Sequence, residues 1–258
     1  MEILTILQAR MSSSRLPGKV LRPVLGQPMM GRQIERLRRS ALLGRLAVAT
    51  STDPGDQAIE DFARGAGCLV WRGSLHDVLG RYAGTLAALG PADHVVRLTA
   101  DCPLADWSVI DDCIGLHLES GADYTSDTVD RSYPRGLDVE VFKAALLPQI
   151  AAEAADPYER EHVTPFFYRR PERFRIAQLR QEAYQAHLRW TVDRPDDLAF
   201  VTRVYEALHP ADPGFATADI LGLGWTDRSD ADDPLQPTAA GEAPPAARPP
   251  WLRPPPAA

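Results

Sequence analysis

Two hydrophobic periods alternate along the first part of the chain. Short aliphatic runs at 3–7, 46–50, 68–71 and 94–99 read as strands. Between them apolar residues recur at helical spacing, with Met30, Ile34, Leu37 and Ala41 on one face and Val78, Tyr82, Leu86 and Leu89 on another. Thr52-Asp53-Pro54-Gly55 is a turn into a helix at 56–64, which Gly65 and Gly67 terminate. Strand–helix–strand repetition predicts parallel strands joined by right-handed crossovers, hence a doubly wound α/β sheet. Ligands of such sheets lie beyond the C-terminal strand ends, which brings the loops 8–19, 51–56 and 100–106 to one place.

The pattern then becomes less regular. Strands are expected at 123–127, 137–142 and 174–179, helices at 159–169 and 197–208, and a long polar connection at 129–136. The stretch at about 123–180 reads as a completion of the sheet with a substrate-side lobe, inside a domain spanning 1–226. Residues 227–258 are rich in Pro, Ala and Asp and are expected to be disordered, because they bury too little apolar surface to offset chain entropy.

Composition narrows the functional classes. A net charge of -7 over 258 residues argues against a general nucleic-acid binder. Cys68, Cys102 and Cys113 lack C-x-x-C spacing, so neither a disulfide framework nor a zinc site is indicated. The start has no signal-peptide pattern, and no run approaches the roughly eighteen apolar residues of a membrane span. The expectation is a cytoplasmic enzyme or binding protein.

Three segments carry candidate chemistry. The first, A-R-M-S-S-S-R-L-P-G-K at 9–19, leaves the first strand and combines Arg10, Arg15 and Lys19 with three serines and Gly18. Planar guanidinium forks, a point charge and free N–H groups in a turn suit a polyphosphate. It is neither a Walker A loop nor G-x-G-x-x-G. Composition alone leaves a solvated basic loop equally open, and the strand-end position favours function. The second, L-T-A-D-C-P-L at 98–104, offers Asp101 as a divalent-cation ligand or as a turn or helix-capping residue, with Cys102 as packing. The third, W-T-V-D-R-P-D-D-L at 190–198, offers Asp193 as a ligand, with Asp196 and Asp197 as partners of a helix dipole.

Taken in order, these segments resemble the cytidylyltransferase family that activates acidic sugars, and within it the SpsF-type branch of spore-coat polysaccharide synthesis. R-G-L-D-V-E-V-F at 135–142 and E-R-E-H-V-T-P-F at 159–166 extend the match, which covers roughly 1–225. The resemblance implies a Rossmann-like mixed sheet of the nucleotide-diphospho-sugar transferase type in three α/β/α layers. It implies CTP and a sugar acid, or another sugar, as substrates, Mg2+ as cofactor, and a homodimer as one assembly open to the chain. By the same carry-over Arg10, Arg15 and Lys19 hold the triphosphate, with Ala9 and Ser12 beside them. Asp101 and Asp193 hold the metal, and Ser74, Asp77 and Arg81 contact base and ribose. Asp138 and Glu140, two apart on an expected strand, are expected to face the sugar, with an edge-strand polar face as the alternative. Glu159, Arg160 and His162 divide between capping, a dimer contact and sugar binding, with His162 a candidate general base. Asp101-Cys102-Pro103 departs from the Asp-Glu-Pro of strict KDO-type enzymes, so sugar specificity does not transfer. Two further classes stay open at this point: a nucleotide-sugar-dependent glycosyltransferase, whose D-x-D signature has only Asp230-Ala231-Asp232 to match it, and a non-catalytic nucleotide-binding homologue.

Overall fold

The computed structural model describes residues 1–225; the segment expected to be disordered, 227–258, and the Asp230-Ala231-Asp232 triplet lie outside the described residues. The order of elements is β1 (Ile3–Gln8), β2 (Pro23–Val24), β3 (Gln27–Pro28), α1 (Met29–Leu37), β4 (Arg45–Ser51), α2 (Gln57–Gly65), β5 (Leu69–Gly73), α3 (Val78–Leu89), β6 (His94–Thr99), α4 (Trp107–Ser120), β7 (Tyr124–Ser126), β8 (Glu140–Lys143), α5 (Leu147–Glu153), α6 (Pro157–His162), α7 (Pro165–Tyr168), β9 (Ile176–Gln178), α8 (Pro195–Leu208) and α9 (Thr217–Gly222).

A seven-stranded sheet runs β5-β4-β1-β6-β8-β7-β9. Strands β5, β4, β1 and β6 are mutually parallel, as the alternation of periods predicts. Strand β8 then inserts antiparallel between β6 and β7, and β9 closes the edge parallel to β7. The sheet is therefore mixed, and the stretch at 123–180 supplies its last three strands.

Both faces of the sheet are covered. In β1, Ile3 and Leu7 join the core under α1, α2, α4 and α8, whereas Leu4 and Ile6 join the core under α3, α5 and α7. That period of two, with both sets apolar, is what a strand buried between two helical layers requires. The result is the three-layer α/β/α sandwich.

Some elements differ from expectation. The helix expected at 159–169 is two short ones: Val163 adopts φ 70° and Pro165 follows two residues later, so the helical hydrogen-bond ladder cannot continue. The strand expected from 137 begins only at Glu140, because Arg135 bridges to Arg189 instead and Leu137 turns back to bond the Pro134 carbonyl. Helix α4 is additional to the expected elements, with Val109, Ile110, Cys113 and Ile114 forming its buried face. Among the described residues no helix is long and apolar enough to cross a membrane, and all three cysteines are free and buried.

One buried histidine gives the fold a pH dependence. His117 on α4 contacts His94 Nδ1 at 3.0 Å and Thr125 Oγ1 at 2.9 Å. Burial, then the neighbouring His94 and Lys143, push its imidazole down from 6.5 to about 4. The unfolded chain therefore binds more protons than the folded one between those values, and stability falls as pH drops through that window. Urea unfolding should show this loss, at most about 1.4 kcal/mol per pH unit from this group. His117→Gln should flatten the same limb; an unchanged slope in that variant would refute the assignment.

Candidate active site

The sharp strand-to-loop transition after β1 is held by a residue of the neighbouring turn. Asp56, 1% exposed, accepts the Met11 N–H at 2.7 Å through Oδ1, while its Oδ2 accepts from Ser51 Oγ at 2.5 Å, Ser51 N at 3.1 Å and Thr50 Oγ1 at 3.1 Å. Farther along, Met11 O accepts from both Ser13 and Gly18 N–H at 2.9 Å. Gly18 takes φ 70°, a left-handed conformation that lets the loop close and Lys19 begin a 3-10 turn. Leu16 drops into the core as the anchor of this loop. Arg10, Arg15 and Lys19 are thereby turned toward one cleft.

That cleft, about 320 Å3, opens at the C-terminal ends of β1 and β6 and is lined among others by Arg10, Ser13, Ser14, Arg15, Lys19, Asp101, His162 and Asp193. Larger hollows lie elsewhere on the surface, but the convergent charges are here. Lys19, almost buried, donates to Val192 O at 2.7 Å, Asp193 Oδ1 at 2.9 Å and Asp101 Oδ2 at 3.3 Å. Burial opposes its charge, but the two carboxylates outweigh it and hold the ammonium above its ordinary value. Asp101 likewise stays below the ordinary carboxylate range: desolvation resists its ionisation, and Lys19 together with hydrogen bonds from Thr99 and Cys102 prevails. The capping role open to Asp101 belongs to Asp106, whose Oδ1 accepts the Ser108 N–H at 2.9 Å at the start of α4.

Asp193 is delivered by an extended segment threaded past two others. Trp190 N–H bonds Arg135 O at 2.7 Å and Val192 N–H bonds Asp101 O at 2.8 Å. Gly136 (φ +105°) makes this crossing feasible, since a Cβ there would stand 2.8 Å from Thr191 N and Trp190 C. Asp193 Oδ1 meets Arg15 at 3.0 Å, and Oδ2 meets Arg189 at 2.6 Å. Asp197 is more than a dipole partner. Buried, it pairs with Arg189 and accepts the N–H groups of Asp193 and Arg194, each at 2.8 Å, fixing the turn that presents Asp193. Asp196 is exposed.

Other expected residues stand elsewhere. Exposed Ser12 is not among the lining residues; Ser13 and Ser14 take that place. Ser74, Asp77 and Arg81 form the cap of α3: Asp77 accepts from Gly80 N–H at 2.9 Å and from Arg160 at 2.5 Å, Ser74 Oγ accepts from Asp77 N–H at 3.1 Å, and Arg81 donates to Ser74 O at 2.7 Å. Asp138 and Glu140 do not share an open face. Asp138 is clamped by Arg131 through two bonds of 2.6 and 2.9 Å, whereas Glu140 is buried against Arg97, Tyr124 and Thr164. Glu159 is buried against Arg170 at 2.7 Å, and of its helix only His162 lines the cleft. Cys102 is packing: burial and the adjacent Asp101 push its thiol well up, so it stays protonated. Among the described residues no group of three or more His, Cys, Asp or Glu is arranged to hold a metal.

A basic loop thus faces two carboxylates, Asp101 after β6 and Asp193 before α8, and a family model described as cytidylyltransferase matches residues 4–208. The chain belongs to the cytidylyltransferase family. It is 34% identical over 212 residues to the spore coat polysaccharide biosynthesis protein SpsF of Bacillus subtilis, covering 80% of this chain and 87% of that one. It is 31% identical over 114 residues to a 3-deoxy-manno-octulosonate cytidylyltransferase of Geobacter metallireducens, 44% of either chain. The solved structure of a cytidylyltransferase from Leptospira borgpetersenii superposes with a TM-score of 0.82 at 30% identity, over 86% of this chain and 93% of that one. As a member of this family the protein is a nucleotidyltransferase.

Asp56 is the positioning residue that the sequence does not reveal; it reads as a helix start, and nothing local marks its reach to Met11. Asp56→Ala should leave four donors without their acceptor and let the cytidylyltransferase's loop drift. The expected cost in kcat/KM is about a hundredfold, with a native circular dichroism spectrum. Wild-type kcat/KM in that variant would remove Asp56 from the account.

Proposed function

We propose that the enzyme transfers the cytidylyl group of CTP to a sugar acid, forming a CMP-sugar and releasing pyrophosphate, as a step in surface polysaccharide synthesis. The observation that carries this reading is the convergence of Arg10, Arg15 and Lys19 on Asp101 and Asp193 in one cleft at the ends of β1 and β6. The similarity to SpsF and to the 3-deoxy-manno-octulosonate enzyme supports both the nucleotide and the acceptor class. A cytoplasmic location suits this chemistry and the three buried thiols.

The chain's own groups divide the work. Arg10, Arg15 and Lys19 bind the triphosphate and offset charge on the departing pyrophosphate, with the Ser13 and Ser14 hydroxyls as further donors. Asp101 and Asp193 would hold Mg2+: two carboxylates together with substrate phosphates suit it, and their oxygens already converge on a single cation, Lys19. When bound there, Mg2+ supplies charge neutralisation and polarisation of the phosphoryl group. The acceptor hydroxyl oxygen attacks the α-phosphorus in line, the new O–P bond forms, and the bond to pyrophosphate breaks. Burial lowers the His162 imidazole below its ordinary value, so it is neutral at pH 7 and available on the cleft wall to take the hydroxyl proton. Asp138, oriented by Arg131, is the sugar-side carboxylate of this reading, whereas Glu140 supports the wall from behind.

Pyrophosphate release from CTP with a panel of sugar acids should detect the activity. Arg15→Ala and Lys19→Ala should each lose about a hundredfold or more in turnover while remaining folded. Normal release by either variant would overturn the triphosphate assignment. Asp101→Asn should lose activity together with its dependence on added Mg2+; full activity would exclude the metal role.

A further inference from the structure

Lys19 occupies the point at which the carboxylates of Asp101 and Asp193 meet. Its ammonium directs donors to Asp101 Oδ2 at 3.3 Å, Asp193 Oδ1 at 2.9 Å and Val192 O at 2.7 Å, which uses all three of its hydrogens. A divalent cation held by both carboxylates claims the same oxygens, and two cations at contact distance repel strongly. Arg15 adds to the competition on Asp193 Oδ1 at 3.0 Å. The third cation on Asp193, Arg189, approaches Oδ2 and is shared with Asp197. Two of the three positive groups on Asp193 therefore ride on the same phosphate-facing loop.

We propose that Lys19 is a built-in counter-ion of the Asp101–Asp193 pair, so that a divalent cation binds there tightly only together with a triphosphate that draws Lys19 and Arg15 away. The idea rests on the reading of Asp101 and Asp193 as metal ligands, and it deepens that reading by giving the loop a second role. Besides binding phosphate, the loop keeps the carboxylates neutralised and weakens their hold on free metal. A triphosphate gives the loop cations new anionic partners, and the carboxylates then take the divalent cation in exchange. By linkage, metal must raise triphosphate affinity by the same factor that triphosphate raises metal affinity.

Manganese is a suitable probe, with free Mn2+ measured by electron paramagnetic resonance in the full-length protein without nucleotide. Lys19→Met should tighten Mn2+ binding by about tenfold over wild type, and Arg15→Met by a smaller factor, since it touches one carboxylate only. Asp101→Asn should lose Mn2+ binding in the wild-type and Lys19→Met backgrounds alike. If Lys19→Met binds no more tightly while Asp101→Asn still weakens binding, the counter-ion proposal fails and the metal site stands. If Asp101→Asn changes nothing in either background, the metal reading itself fails and takes the proposal with it. Should Lys19→Met not fold, the exposed Arg15→Met carries the same comparison. With CTP present and no acceptor, wild-type protein should take up Mn2+ beyond what the Mn2+–CTP complex in solution accounts for; merely additive binding would overturn the exchange.

Discussion

A lysine with almost no solvent around it must be paired, and in this molecule its partners come from distant parts of the chain. Lys19 follows β1, Asp101 follows β6, and Val192 with Asp193 precede α8. Removing either carboxylate leaves charge in a poorly hydrated place, which is costly, so the three segments are held in one arrangement. The loop after β1, the turn after β6 and the segment threaded past Arg135 and Asp101 meet at that ammonium. Such a cluster is a weak source of net stability, and its value is in specificity of arrangement.

Around this centre lie buried carboxylates that never face the cleft. Asp56 gathers four donors and sets where the basic loop departs. Asp197 gathers two N–H groups and Arg189 and sets where Asp193 points. Glu140 ties Arg97, Tyr124 and Thr164 into the wall behind His162. A site for polyanions needs its cations preorganised, and inner carboxylates with satisfied hydrogen bonds are the means by which this chain does so.

The parallel half of the sheet was legible in the sequence because hydrophobic period and turn chemistry agree there. That Arg10, Arg15, Lys19 and Asp101 meet in one cleft was legible because they follow β1 and β6, whereas Asp193 reaches it from an extended segment and not from the strand end the sequence suggests. Less could be read where spacing misleads. Asp138 and Glu140 sit two apart, but the strand starts only at Glu140, so the shared-face rule does not apply. Glu159, Arg160 and His162 read as one polar helix start, yet the Val163 break and the Asp77 pairing send the three side chains to different places. Ser74, Asp77 and Arg81 close a helix cap, a role that local sequence cannot distinguish from ligand contact. Asp56 and Asp197 act across tertiary contacts that no motif encodes.

Strand β8 enters the sheet against the direction of β6, and β7 and β9 lie beyond it at the border. The basic loop and Asp101 follow parallel strands, whereas the α6 turn bearing His162, which also lines the cleft, belongs to the stretch that builds this border. The two halves of the cleft thus grow from different topological origins. Insertions, altered loops or exchanged side chains in the border stretch can reshape the His162 side of the cleft while the strands that precede the basic loop and Asp101 stay in register. A lineage built on this plan can vary its cleft by editing one margin of a sheet.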